Sequence, residues 1–145
     1  MNFSYAAAIS ASGMEVERTR LDASAINLAN MHTTRTADGG AFRPLRVISS
    51  FGPVSPFSGT MASAAGNFPG VRAYQVQGMN VPPRMAYEPG HPDADARGFV
   101  AYPGVDSTLE MVNLMAAVRS YEANVIAMNA AKSMATKALE IGGSS

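Results

Sequence analysis

The acids that come nearest to a metal-binding pattern are Asp93 and Asp95, in Asp93-Ala94-Asp95-Ala96-Arg97-Gly98. Two carboxylates two residues apart with glycine sixth open a calcium loop, which then needs an oxygen ligand at the fifth position and a bidentate glutamate at the twelfth. Here those positions hold Arg97 and Gly104, so calcium is excluded by that route and the stretch reads as a turn before a strand. His32 and His91 stand in unlike contexts without a cysteine, which gives no zinc set. No glycine-rich loop ending in Lys and Ser or Thr is present to cradle a phosphate. Ser10 and Ser12 belong to an Ala/Ser-rich helical stretch rather than a strand-to-helix elbow, and Glu15 and Glu17 point to different faces of that helix. Met111, Met115, Met128 and Met134 share one segment and fit ordinary helix packing. No acid, base and nucleophile converge, so the sequence predicts no catalytic residue, no metal, no cofactor and no enzyme.

What remains is a chain built to pack. Charged residues make up 15% of it and their signs cancel, against about 25% in typical globular domains. So little solubilising surface suits faces covered by neighbours. The balance also argues against nucleic acid as a partner, since no basic run is present. No cysteine occurs, which leaves the redox compartment open. The N-terminus lacks the basic and apolar regions of a cleaved signal peptide, and no apolar run nears the ~20 residues of a membrane-spanning segment.

The strongest element lies at the end. Between Asp106 and Gly142 there is neither Gly nor Pro, and apolar residues recur at heptad spacing. One row is Met111, Val118, Val125, Lys132 and Leu139; the other is Leu114, Tyr121, Met128 and Ala135. This predicts a continuous helix over Ser107–Ile141, about 50 Å long, with a coiled-coil stripe. Asp106 or Ser107 caps it, Glu110 occupies the capping-box position, and Gly142-Gly143 ends it. A lone helix of this kind is marginal, so its seam needs another surface.

The first 35 residues hold no proline and one glycine, Gly13. Ala7, Met14, Leu21 and Leu28 recur every seven, predicting a second, weaker helix that closes at Asn27–Asn30, with Asn30 as a left-handed terminator. Thr33–Thr36 reads as an extended exit. All nine prolines and ten of thirteen glycines fall between residues 36 and 106, where no long helix survives. A turn at Asp38-Gly39-Gly40, strands at 42–51, 71–77 and 99–102, and a mobile loop over 51–69 are expected there. The predicted fold is therefore mainly α: an N-terminal helical segment (1–35), a Gly/Pro-rich β/loop insert (36–106), and a long C-terminal helix (107–145) that pairs with the first.

Several stretches together resemble one family. Ser10-Ala11-Ser12-Gly13-Met14, Arg18-Thr19-Arg20-Leu21 and Ala25-Ile26-Asn27-Leu28-Ala29-Asn30 with Thr33-Thr34 are similar to the N-terminal signature of the bacterial flagellar rod and hook proteins. Met111-Val112, Arg119-Ser120-Tyr121-Glu122-Ala123-Asn124 and Lys137-Ala138-Leu139-Glu140-Ile141 resemble their closing helix. Pro89-Gly90-His91-Pro92-Asp93-Ala94-Asp95 with Gly98-Phe99-Val100-Ala101-Tyr102-Pro103, and the short length, narrow the resemblance to the proximal rod subunits. The chain departs from the pattern at His32, where a small or polar residue is usual, and at Gly104, where Asn is frequent.

The resemblance implies a structural subunit of the motility apparatus, placed in the basal-body rod across the periplasmic space. It further implies export unfolded through the flagellar type III apparatus without a cleaved signal, and polymerisation in a helical array with copies of itself and other rod subunits. The assembly interface expected on that basis comprises Met14, Leu21, Asn27, Leu28 and Asn30 of the first helix. In the last it comprises Met111, Leu114, Val118, Tyr121, Glu122, Asn124, Val125, Met128 and Leu139. Among these, Asn27, Asn30, Glu122 and Asn124 either fix register, as buried amides do, or cap helices and face solvent. The competing reading is a small secreted or adaptor protein that binds a partner through its C-terminal helix.

Overall fold

The computed structural model describes residues 3–37, 39–50, 71 and 73–143. Their order is α1 (Phe3–Ala29), β1 (Leu45–Ser50), β2 (Ala73–Gly78), β3 (Arg84–Tyr87), β4 (Phe99–Tyr102) and α2 (Ser107–Gly143). The fold is two long terminal helices packed on each other, with a small β insert of two two-stranded sheets between them. Among the described residues no helix is long and apolar enough to cross a membrane. The expected loop over 51–69 falls outside the described residues, as does Asp38 of the expected turn.

Each helix end has an identifiable cause. At the start of α2 the Asp106 carboxylate accepts from the backbone N–H groups of Thr108 (2.9 Å) and Leu109 (3.2 Å), satisfying two donors that the helix cannot. At the end of α1 the expected left-handed Asn30 is not found: among the described residues only glycines have positive φ. Instead the Asn30 side-chain amide donates to the carbonyl of Ile26 (2.9 Å) and its oxygen accepts from Thr33 (3.1 Å). The side chain thus supplies the C-terminal partner that a glycine would supply through its backbone.

Two of the strands follow the predicted segments closely, and the period-two burial of β1 shows why. Leu45 and Val47 turn inward while Arg46 and Ile48 are exposed. Strand β3 was not expected from the sequence. It pairs antiparallel with β4, Arg84 opposite Tyr102 and Tyr87 opposite Phe99. The Tyr87 and Phe99 rings meet edge to face at 5.3 Å, and the Arg84 guanidinium lies 5.6 Å from the Tyr102 ring centre. Cross-strand aromatic pairs of this kind stabilise hairpins by a few tenths to about 1 kcal/mol each.

The chain gathers into two compact units. One comprises the described residues of 1–19, 48–75 and 117–145, and its buried side chains include Ser10, Val16, Ala117 and Ala131. The other comprises those of 20–47 and 76–116, with Ala23, Ser24, Asn27, Val47 and Val100 buried.

Candidate assembly interface

The turn expected around Asp93–Gly98 forms, and its acids hold backbone rather than a cation. Asp95 Oδ1 accepts from the N–H groups of Arg97 (2.8 Å) and Phe99 (2.9 Å), and Gly98 completes the turn at φ +80°. The bond from Phe99, with help from Arg97, lowers the Asp95 pKa below the usual carboxylate value. A depressed carboxylate pKa means the turn keeps its full strength at neutral pH and loosens only as pH falls through that lowered value. Asp93 accepts from the Thr34 hydroxyl (2.8 Å) and lies 3.7 Å from the Arg35 guanidinium, tying the exit of α1 to this turn. His32 and His91, far apart in sequence, both set their rings edge-on to Tyr102, at 6.2 and 6.3 Å. The Tyr102 hydroxyl donates to Glu88 (2.9 Å), and that bond raises the phenol pKa. These are packing arrangements. No group of three or more His, Cys, Asp or Glu able to hold a metal occurs among the described residues.

The contact of the two helices is built on polar groups. Asn27 is 1% exposed and its side chain makes three hydrogen bonds. Its Oδ1 accepts from Leu45 N–H (2.7 Å), and its Nδ2 donates to the Leu45 carbonyl (2.9 Å) and to Glu110 Oε1 (3.1 Å). The amide thus pairs with the first residue of β1 as a neighbouring strand would, and bridges to α2. Glu110 spends its carboxylate on this bridge. Fourteen residues earlier on α1, Gly13 meets Asn124, fourteen residues later on α2: a Cβ at Gly13 would stand 2.9 Å from Asn124 Nδ2. Two contacts separated by two heptads in opposite directions mean that the helices run antiparallel in one register.

That register sorts the α2 residues. Glu110, Ala117, Asn124 and Ala131 make one inward row, with Ala117 and Ala131 buried. Leu114, Met128 and Ala135 are half-buried between them, and Tyr121 is at the border of exposure. The other large-residue row lies one position further round: Met111 is 61% and Leu139 77% exposed, Val118 is exposed, and Val125 is half-buried. Small side chains let the helix axes approach closely, so the chain's own seam closes on alanine, glycine and amide, and the larger side chains are left beside it. On α1, Met14, Leu21 and Leu28 are half-buried. Asn30 serves the helix end and Glu122 is exposed. Sequence reasoning missed the roles of Gly13, Ala117 and Ala131. The signal was the seven-residue recurrence Ala117, Asn124, Ala131, Ala138.

A subunit whose terminal helices clasp each other while one of them carries a row of exposed Met, Val, Ile and Leu is, by its architecture, a packing element of a larger assembly. Residues 96–141 match the family model described as flagellar basal body rod FlgEFG protein C-terminal. The chain is 42% identical to the flagellar basal-body rod protein FlgC of Bacillus subtilis (strain 168), over 92% of this chain and 94% of that protein. It is 38% identical to the FlgC of Escherichia coli O6:H1 and 34% identical to that of Borreliella burgdorferi, each over 92% of this chain and 93% of the other. The chain belongs to the FlgC family of flagellar basal-body rod proteins, and it is a structural subunit of the rod.

Proposed function

We propose that the chain polymerises by helix–helix packing, with copies of itself and other rod subunits, into the shaft that carries torque across the periplasmic space. It reaches that site unfolded, through the flagellar type III export apparatus and without a cleaved signal. One observation carries this reading: α2 exposes Met111, Val112, Met115, Val118 and Ile126 along a single side. An apolar strip of that length on a lone subunit is unfavourable in water and becomes favourable once a neighbouring helix covers it. Met111, Val118, Val125 and Leu139 then contribute to contacts between subunits, while Asn27 and Asn124 hold the register within one. Many such contacts acting in parallel spread the load of rotation. No observation favours the adaptor reading. Fractionation tests the proposal: the chain co-purifies with basal bodies and its deletion stops hook and filament formation. Normal motility without it, or its absence from isolated basal bodies, contradicts the proposal.

A further inference from the structure

The loop that joins β3 to β4 contains two turns of one design. In each, a side chain accepts the backbone N–H two residues further on, the bond that closes an Asx turn. Asp95 Oδ1 takes the Arg97 N–H (2.8 Å). Earlier in the loop, His91 Nδ1 takes the Asp93 N–H (3.1 Å) across Pro92. An imidazole nitrogen accepts only when it carries no proton, so this turn holds the neutral ring with its hydrogen on Nε2. Asp93 is also where the loop is tied to the exit of α1, through the Thr34 hydroxyl and the Arg35 guanidinium. The residue that the imidazole positions is therefore the one that carries the tether.

We infer that His91 makes this tether acid-sensitive: a proton on Nδ1 turns the acceptor into a second donor, opposes it to the Asp93 N–H and opens the turn, while the neighbouring turn at Asp95 stays closed. The contact holds where the ring is neutral and is lost as pH falls through the range of about 8 to 5 in which imidazoles become charged. The Asp95 turn lies outside that range. The Phe99 N–H holds its carboxylate in the charged form, so it keeps its acceptor until pH falls through a value below the usual carboxylate one. Titratable and charged groups reach His91 from every element packed on it. Its own loop brings Glu88 and Asp93, β4 brings the Tyr102 ring at 6.3 Å, and β3 brings Arg84 over that ring. The exit of α1 brings His32 against the same ring and Arg35 beside Asp93. The two carboxylates and two guanidiniums cancel in formal charge, and both carboxylates are already engaged, Glu88 by the Tyr102 hydroxyl and Asp93 by Thr34. What separates the neutral ring from the charged one here is its bond to the Asp93 N–H. His32 holds no backbone N–H in this way among the described residues.

Nuclear magnetic resonance of the purified full chain tests this. The ring nitrogen shifts of His91 at neutral pH are expected to place the hydrogen on Nε2. As His91 becomes charged, the protection of the Asp93 amide against solvent exchange is expected to fall about fivefold, the worth of one intramolecular hydrogen bond. The amides of Arg97 and Phe99 keep their protection over the same range, and so does that of Leu45, which Asn27 holds. His91→Asn places an acceptor at the same point of the turn but takes up no proton, so its Asp93 amide stays protected throughout. His32→Gln retains the fall of the native chain. Any one of four results overturns the inference: a hydrogen on Nδ1 of His91 at neutral pH, an Asp93 amide unprotected there, a protection that does not follow the charging of His91, or a fall that persists in His91→Asn or vanishes in His32→Gln. If His91→Asn fails to fold, the measurements on the native chain decide the matter alone.

Discussion

Val125→Asp abolishes rod assembly and motility while the chain is still exported. Val125 is half-buried on α2 next to Asn124, whose side chain fills the space that Gly13 leaves open. A carboxylate there sits beside the Gly13–Asn124 contact and, on the proposed packing, within the zone that neighbouring subunits cover. Burying a charge without a partner costs several kcal/mol, and the cost recurs in every subunit of the polymer. On the proposed route export handles an unfolded chain, so the substitution leaves it intact. Val125→Ile keeps the apolar character and assembles. The readout is the amount of protein exported set against basal bodies counted by electron microscopy. Normal basal bodies in the aspartate variant remove Val125 from the interface.

Asn27→Leu lowers the stability of the free subunit by about 2–4 kcal/mol. The change deletes three hydrogen bonds and leaves the Leu45 N–H, the Leu45 carbonyl and the Glu110 carboxylate without a partner, and orphaned polar groups at a packed site cost about 1–3 kcal/mol each before local relaxation. Asn27→Asp is the sharper variant. It retains the acceptor for Leu45 N–H but sets a second carboxylate against Glu110, and like charges at that range cannot both stay ionised cheaply. One of the pair takes up a proton more readily than in the unfolded chain, so the lost stability returns in part as pH falls and is fully lost once both are ionised at neutral pH. Denaturant melts followed by circular dichroism across pH measure both effects. A change under about 1 kcal/mol for the leucine variant shows that the amide is a passenger.

Much of this was legible in the residues. Proline and glycine confined to the middle, and a long stretch free of both before Gly142, marked the insert and the last helix. The Asp106 cap and the turn at Asp95 were readable because short polar side chains next to strands and helices bond backbone locally. Other features were hidden. Strand β3 is four residues long with Pro82-Pro83 before it and Pro89 after, and what makes it a strand is pairing with Phe99–Tyr102. The position of the inner seam was obscured because large apolar residues draw the eye to Met111, Val118 and Leu139. Two antiparallel helices this close select small and amide side chains instead, so the chain's own contact falls one residue earlier. His32 and His91 gave no hint of sharing Tyr102, because a sequence does not show which distant side chains a hairpin brings to one ring.

On the proposed packing the outer apolar strip of α2 is open in the subunit and closed in the rod. Methionine oxidation reports on it, because Met111 and Met115 are both more than half exposed and a thioether reacts with peroxide according to its accessibility. Peptide mass spectrometry after brief peroxide treatment should find both sulfurs readily oxidised in the purified subunit and protected at least several-fold in isolated basal bodies. Equal oxidation of Met111 and Met115 in the two preparations would mean that no neighbouring helix lies on the strip, and the packing account of the rod subunit would not survive it.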